Sequence, residues 1–120
     1  MNTRAAAVTI LNTLPGTGYN YESAIDAFLK INNCSSPDSD FIYLLVKGTI
    51  QNQSLLDYLI EQTRNNSVNR LEQIARNLLR VGVLQIVVLK TPPHAAVNET
   101  VAAAHQLQRS DLAALINGVL

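Results

Sequence analysis

Residues 68–90 read VNRLEQIARNLLRVGVLQIVVLK, and how this stretch folds decides how the rest of the chain must fold. It holds no proline. Its first half sets Leu71, Ile74, Ala75, Leu78 and Leu79 between charged and amide side chains, a helical spacing rather than a strand alternation. From Val81 to Leu89 only Gly82 and Gln85 interrupt the apolar run. One long helix is expected, amphipathic where it enters and enclosed by other helices where it ends. The β-branched residues near its end favour a strand locally. No turn signal divides the stretch, however, and no second convincing strand exists to pair with it.

Working outward, each flank supplies helices to wrap this rod. Upstream, residues 4–14 place Ala7, Ile10, Leu11 and Leu14 on one face, with Asn2 or Thr3 available as a cap. Pro15-Gly16-Thr17-Gly18 should close that helix with a loop. Asn20 is expected to cap a second helix reaching Ile31, with Tyr21, Ile25, Phe28 and Leu29 inward. Ser36-Pro37-Asp38 reads as a helix start: a capping hydroxyl, a proline in the first turn and an acid near the positive helix end. The third helix should bury Phe41, Leu44, Leu45 and Gly48, where the missing side chain lets a neighbour come close. A fourth, from Asn52 or Ser54, should bury Leu55, Leu56, Leu59 and Ile60. Asn66 or Ser67 would then cap the long helix.

Downstream, Pro92-Pro93 stops the rod, because a residue before proline avoids helical angles. A sixth helix to Leu107 should bury Val97, Val101, Ala104 and Leu107, and Ser110 should cap a last one carrying Leu112, Leu115, Ile116 and Val119. The fold class expected is all-α, about seven helices in one domain spanning 1–120, with short connections that make consecutive helices neighbours. The apolar end at Val119-Leu120 suggests a chain that belongs in front of something longer.

The inventory for chemistry is thin. His94 and His105 are eleven positions apart, about 16 Å along one helix, too far to share a metal. Cys34 has no histidine near it in sequence to make it a nucleophile, and a single cysteine rules out an internal disulfide. The Pro-Gly-Thr-Gly string lacks the GxxxxGK[ST] spacing of a phosphate loop. No catalytic residue, metal site or cofactor is expected.

Nine basic residues offset nine acidic ones, so no net positive field advertises nucleic acid; any such surface must be local. Arg64, Arg70, Arg76 and Arg80 gather along the rod and its approach, a row able to meet phosphates. Glu72 stands four before Arg76, a helix-supporting pair, and Arg80 is expected to be half-buried against Glu99. No apolar run is long enough for a membrane span and no secretory leader is visible, so the cytoplasm is the default compartment.

Several motifs at fixed separations resemble the NusB-like family, and most of all the form that precedes bacterial cytosine methyltransferases of small-subunit ribosomal RNA. They are Leu79-Arg80, Pro93-His94-Ala95-Ala96, Asn98-Glu99-Thr100-Val101 and Ile116-Asn117-Gly118-Val119-Leu120. Asp38, Asp40-Phe41 and Leu45-Val46-Lys47-Gly48-Thr49 agree with the family's third helix, and Arg4-Ala5-Ala6-Ala7 with its opening. The resemblance implies two packed helical halves and non-catalytic RNA work. Either the chain is a docking domain for a downstream methyltransferase domain, or it is a free-standing antitermination factor that binds single-stranded RNA with a ribosomal protein. A protein–protein adaptor is the third reading. By the match, Arg4 and more weakly Lys47 are candidate RNA contacts, joined by Arg64 and Arg70 from the basic row. Gly48, Arg80, Asn98, Glu99, Asn117 and Gly118 fall on motifs with an architectural look. Ser39 replaces the family's frequent basic residue, and the opening carries Arg4 alone, so the positive surface is reduced.

Overall fold

A computed structural model describes residues 1–14 and 20–120. The loop expected at residues 15–18 lies outside them. Among the described residues there are seven α-helices and no strand: α1 (Thr3–Thr13), α2 (Tyr21–Asn32), α3 (Ser36–Gln51), α4 (Gln53–Arg64), α5 (Gln73–Val87), α6 (Pro93–Gln106) and α7 (Ala113–Val119). The helices pack into one bundle, with α1 against α2, α3, α5 and α6. Helix α5 is the shared element, touching α1, α3, α4, α6 and α7. Nine of its residues, including every one from Val81 to Gln85, are buried. That run is helical because neighbours cover all its sides, which overrides the β-branched preference of its end.

The central rod is shorter than the unbroken pattern suggested. Val68–Arg70 forms a separate 3₁₀ turn, Leu71 and Glu72 are extended, and the helix starts only at Gln73. The break is held from outside the stretch. The Glu61 carboxylate accepts a hydrogen bond from the Val68 amide at 2.8 Å, and the Ser67 hydroxyl accepts from Asn69. Residue 72 therefore sits at the helix threshold and cannot make the expected pair with Arg76, whose guanidinium donates instead to the Leu71 carbonyl.

Caps follow the expected chemistry with local shifts. The Asn2 side chain accepts from the Ala5 amide. Ser35, not Ser36, caps α3, leaving Pro37 in the first turn. Asn20 adopts a left-handed conformation and makes no side-chain cap. Left-handed Asn33 and Asn65 close α2 and α4, a geometry that asparagine tolerates. Ser110 lies in a 3₁₀ turn, Ser110–Leu112, and its hydroxyl faces His105 rather than capping α7.

Three buried faces are turned from their expected setting. Helix α3 buries Ile42, Leu45, Val46 and Thr49, leaving Leu44 47% exposed. Helix α4 buries Leu56 and Ile60 but exposes Leu55. Helix α6 buries Ala96, Thr100, Ala103 and Ala104, with Val97 and Val101 only half-buried. Small residues let α6 lie close on α5 and α1, so alanine and threonine win the inner face over the larger valines. Gly48 does admit a close neighbour, since an added Cβ would stand 3.2 Å from both methyls of Leu84 on α5.

Candidate functional site

Arg4 enters in the first turn of α1 and reaches across the junction of α1, α3, α5 and α6. Its Nε donates to Gln85 Oε1 at 3.0 Å. Its guanidinium carbon lies 4.6 Å from the centre of the Phe41 ring, a cation–π distance. Nη1 stands 3.5 Å from Thr3 Oγ1 and 3.6 Å from the Glu99 carboxylate. Gln85 is fully buried, and its amide is fixed in turn by donating to the Val81 carbonyl and to Thr100 Oγ1. The Thr100 hydroxyl donates to the Ala96 carbonyl at 2.7 Å. This chain of bonds tells which face of the Gln85 amide is the oxygen, and so locks the inner edge of the guanidinium. The polar residue interrupting the apolar run of the rod is thus the anchor of Arg4. Sequence reasoning named Gln85 only as an interruption and Phe41 only as core and as part of the third-helix motif; the Gln85 pairing with Arg4 spans 81 positions and had no local signal.

Lys47 lies exposed on α3, which packs on α1 and carries Phe41. Arg70 is exposed in the 3₁₀ turn, and Arg64 donates from the end of α4 to the Ser67 carbonyl at 3.1 Å. The candidates therefore fall into two groups. Arg4 is tied to the far end of α5, while Arg64 and Arg70 flank its start. The 12 helical steps from Gln73 to Gln85 separate them by about 18 Å along the axis.

Arg80 has a different partner from the one expected. It is held bidentately by Asp57 of α4, with Nε to Oδ1 at 2.7 Å and Nη2 to Oδ2 at 2.9 Å. Its Nη1 donates to Asn77 Oδ1, and Asn77 donates to Asn12 Oδ1 on α1. Glu99 instead faces Arg4. Asp57 was missed because neither its spacing nor its type distinguishes it from any exposed helix acid. A second unforeseen cluster forms around Arg109, which grips both oxygens of Glu72 at 2.8 and 2.9 Å and both of Asp111 at 2.9 and 3.0 Å. That guanidinium holds the Glu72 and Asp111 carboxyls below their ordinary range and is itself driven further from deprotonation, first by the Glu72 bonds and then by those of Asp111.

Of the motif residues, Asn98 and Asn117 are exposed, with the Asn117 amide donating to the Ala113 carbonyl of its own helix. Gly118 has nothing within 4 Å of an added Cβ. His94 is exposed, His105 Nδ1 lies 2.6 Å from Ser110 Oγ, and Cys34 Sγ lies 3.4 Å from Met1 Sδ. Among the described residues no group of three or more His, Cys, Asp or Glu is placed to hold a metal ion, and no helix is long and apolar enough to cross a membrane.

Comparisons with known proteins agree on one family. The NusB family profile matches residues 1–120. Ribosomal RNA small subunit methyltransferase B of Proteus mirabilis (strain HI4320) is 31% identical over 119 residues, covering 99% of this chain and 28% of that protein. The protein of the same name from Yersinia pseudotuberculosis (strain IP 31758) is 30% identical, with 99% and 27% covered. The chain thus spans little more than a quarter of these relatives' length. Among solved structures, antitermination factors NusB and NusE in complex with dsRNA give a TM-score of 0.86 at 22% identity, covering 98% of this chain and 89% of that one. The solution structure of NusB from Aquifex aeolicus gives 0.81 at 23%, covering 98% and 81%. With the whole length matched and the seven-helix bundle in place, this chain belongs to the NusB family.

Proposed function

We infer that the chain is a non-catalytic RNA-binding module that works on RNA together with a protein partner. The observation that carries this is Arg4: a guanidinium preset by Gln85 and Phe41, 22% exposed, with an outer edge turned to solvent beside the helix that bears Lys47. Planar, preorganised arginine is suited to phosphate because little is lost in ordering it. The similar fold crystallised as NusB with NusE and dsRNA supports the same reading, as does the ribosomal RNA named for the curated relatives. A protein partner is supported by α4, which turns Leu55 and Tyr58 to solvent on one side, Tyr58 being 58% exposed.

Fluorescence anisotropy with a labelled short single-stranded RNA, with and without a small ribosomal protein, tests this. Weak binding alone and tighter binding with the protein are expected. An RNA signal absent in both arms would overturn the reading.

A second reading is favoured by the 30–31% identity to the methyltransferases: a docking domain that brings small-subunit ribosomal RNA to a methyltransferase domain. It expects the chain to raise the rate of RNA methylation when joined to such a domain, without methylating by itself.

A further inference from the structure

Three of the nine basic side chains are paired with carboxylates among the described residues, and the three pairs differ in kind. Arg80 and Asp57 close a bidentate contact at 2.7 and 2.9 Å, with side chains 12% and 20% exposed. Arg109 uses Nε, Nη1 and Nη2 on two carboxylates, four contacts between 2.8 and 3.0 Å. Both cations are saturated. Arg4 is not: its carboxylate contact is single, 3.6 Å long, and made by a Glu99 side chain that is half exposed. Neither Arg4 nor any other described residue gives Glu99 a hydrogen bond within the usual distance, and Arg4 Nη2 takes no acceptor from the described residues.

We propose that Glu99 is a resident anion on the phosphate-binding edge of Arg4, and that a phosphodiester of RNA binds there by displacing it. This rests on the RNA-binding reading above and adds the group that sets its strength. The inner edge of Arg4 is committed to Gln85, and its face to Phe41, so only the outer edge can exchange partners. A carboxylate at 3.6 Å on a solvated side chain is a weak competitor, because an exposed single-point pair gains little over hydration. A phosphate offers two oxygens to Nη1 and Nη2 in the fork geometry that arginine prefers. Glu99 leaves by giving up a single contact of 3.6 Å, whereas Asp57, Glu72 and Asp111 would each have to give up two hydrogen bonds of 2.7–3.0 Å. The device explains how a chain of zero net charge carries a phosphate site: its cation is masked until the ligand arrives.

The test is RNA affinity in a cycle of Glu99→Gln, Arg4→Gln and the double variant, with Asp26→Asn on exposed α2 as a charge control. Glu99→Gln should tighten binding of a single-stranded RNA by about two- to fivefold, the size of an exposed ion pair. Asp26→Asn should tighten it less, and Glu99→Gln should lose its extra effect in the Arg4→Gln background. Inorganic phosphate should compete more strongly with RNA on Glu99→Gln than on the parent. Arg4→Lys, read beside a thermal melt, separates loss of the fork from loss of the fold. If the parent and Arg4→Gln bind RNA differently but Glu99→Gln behaves as Asp26→Asn does, the masking role is wrong and the RNA reading stands. If no variant binds RNA, both fall.

Discussion

At the residue scale, the arginines divide by what their partners leave open. Arg80 ties α5 to α4 through Asp57 and, through Asn77 and Asn12, to α1. Asp57→Ala would strand a guanidinium that is only 12% exposed, with Asn77 as its remaining acceptor. Urea unfolding should show a loss of about 2–3 kcal/mol, somewhat less than breaking a fully buried pair costs because both side chains are partly exposed. Arg109 makes a different prediction. Its bonds depress the Glu72 and Asp111 carboxyls, so the folded state binds their protons less readily than the unfolded state does. The stability they contribute is complete above the ordinary carboxylate range, about pH 4, and is lost as pH falls through their lowered folded values. Melting temperature should therefore drop more steeply between about pH 5 and pH 2 in the parent than in Arg109→Gln. Parallel curves would mean that the clasp contributes nothing. The importance of an arginine at 80 was legible in the sequence because it stands where the helix turns apolar. Its partner was not, since Asp57 and Glu99 are equally plausible acids until the helices are placed.

At the element scale, the helices declared themselves through spacing and caps, but their rotations did not. The sequence placed the start of α3 to within a residue, since serine, proline and an acid have few other reasons to stand together. It misread which side of α3 and α4 is buried, because leucines such as Leu44 and Leu55 extend around both helices and only neighbours decide which are covered. The break before α5 was invisible for a related reason: Glu61, seven positions before Val68, holds it open, with no glycine or proline at the break. Two glycines test the element distances. Gly48→Val should push a branched side chain against the fully buried Leu84 and cost about 1–3 kcal/mol. Gly118→Ala meets nothing within 4 Å inside a helix and should stabilise by about 0.5–1 kcal/mol. Chemical denaturation of the two variants checks both signs. Equal destabilisation would contradict the packing at α3 and α5.

At the scale of the whole molecule, a buried rod packs against five of the six other helices, and among the described residues no group of three or more His, Cys, Asp or Glu is placed to hold a metal ion. The all-helical fold and its family were legible because helical spacing runs through most of the chain and motifs such as Pro93-His94-Ala95-Ala96 and Asn98-Glu99-Thr100-Val101 stand at fixed separations along it. The candidate site was legible only as a lone arginine near the start. Its preorganisation depends on Gln85 and Phe41, which chain folding brings from 81 and 37 positions away. A module of zero net charge that binds RNA must do so through a few local cations, so few counterions are released and the salt dependence is shallow. The most direct measurement is titration of the chain with a single-stranded RNA at several salt concentrations, beside Arg4→Gln shown to be folded. Binding that weakens with salt, with a slope of about −0.7 for each phosphate engaged and reduced by about that amount in Arg4→Gln, is the expected result. Binding that ignores salt and is indifferent to Arg4, or no binding at all, would contradict it.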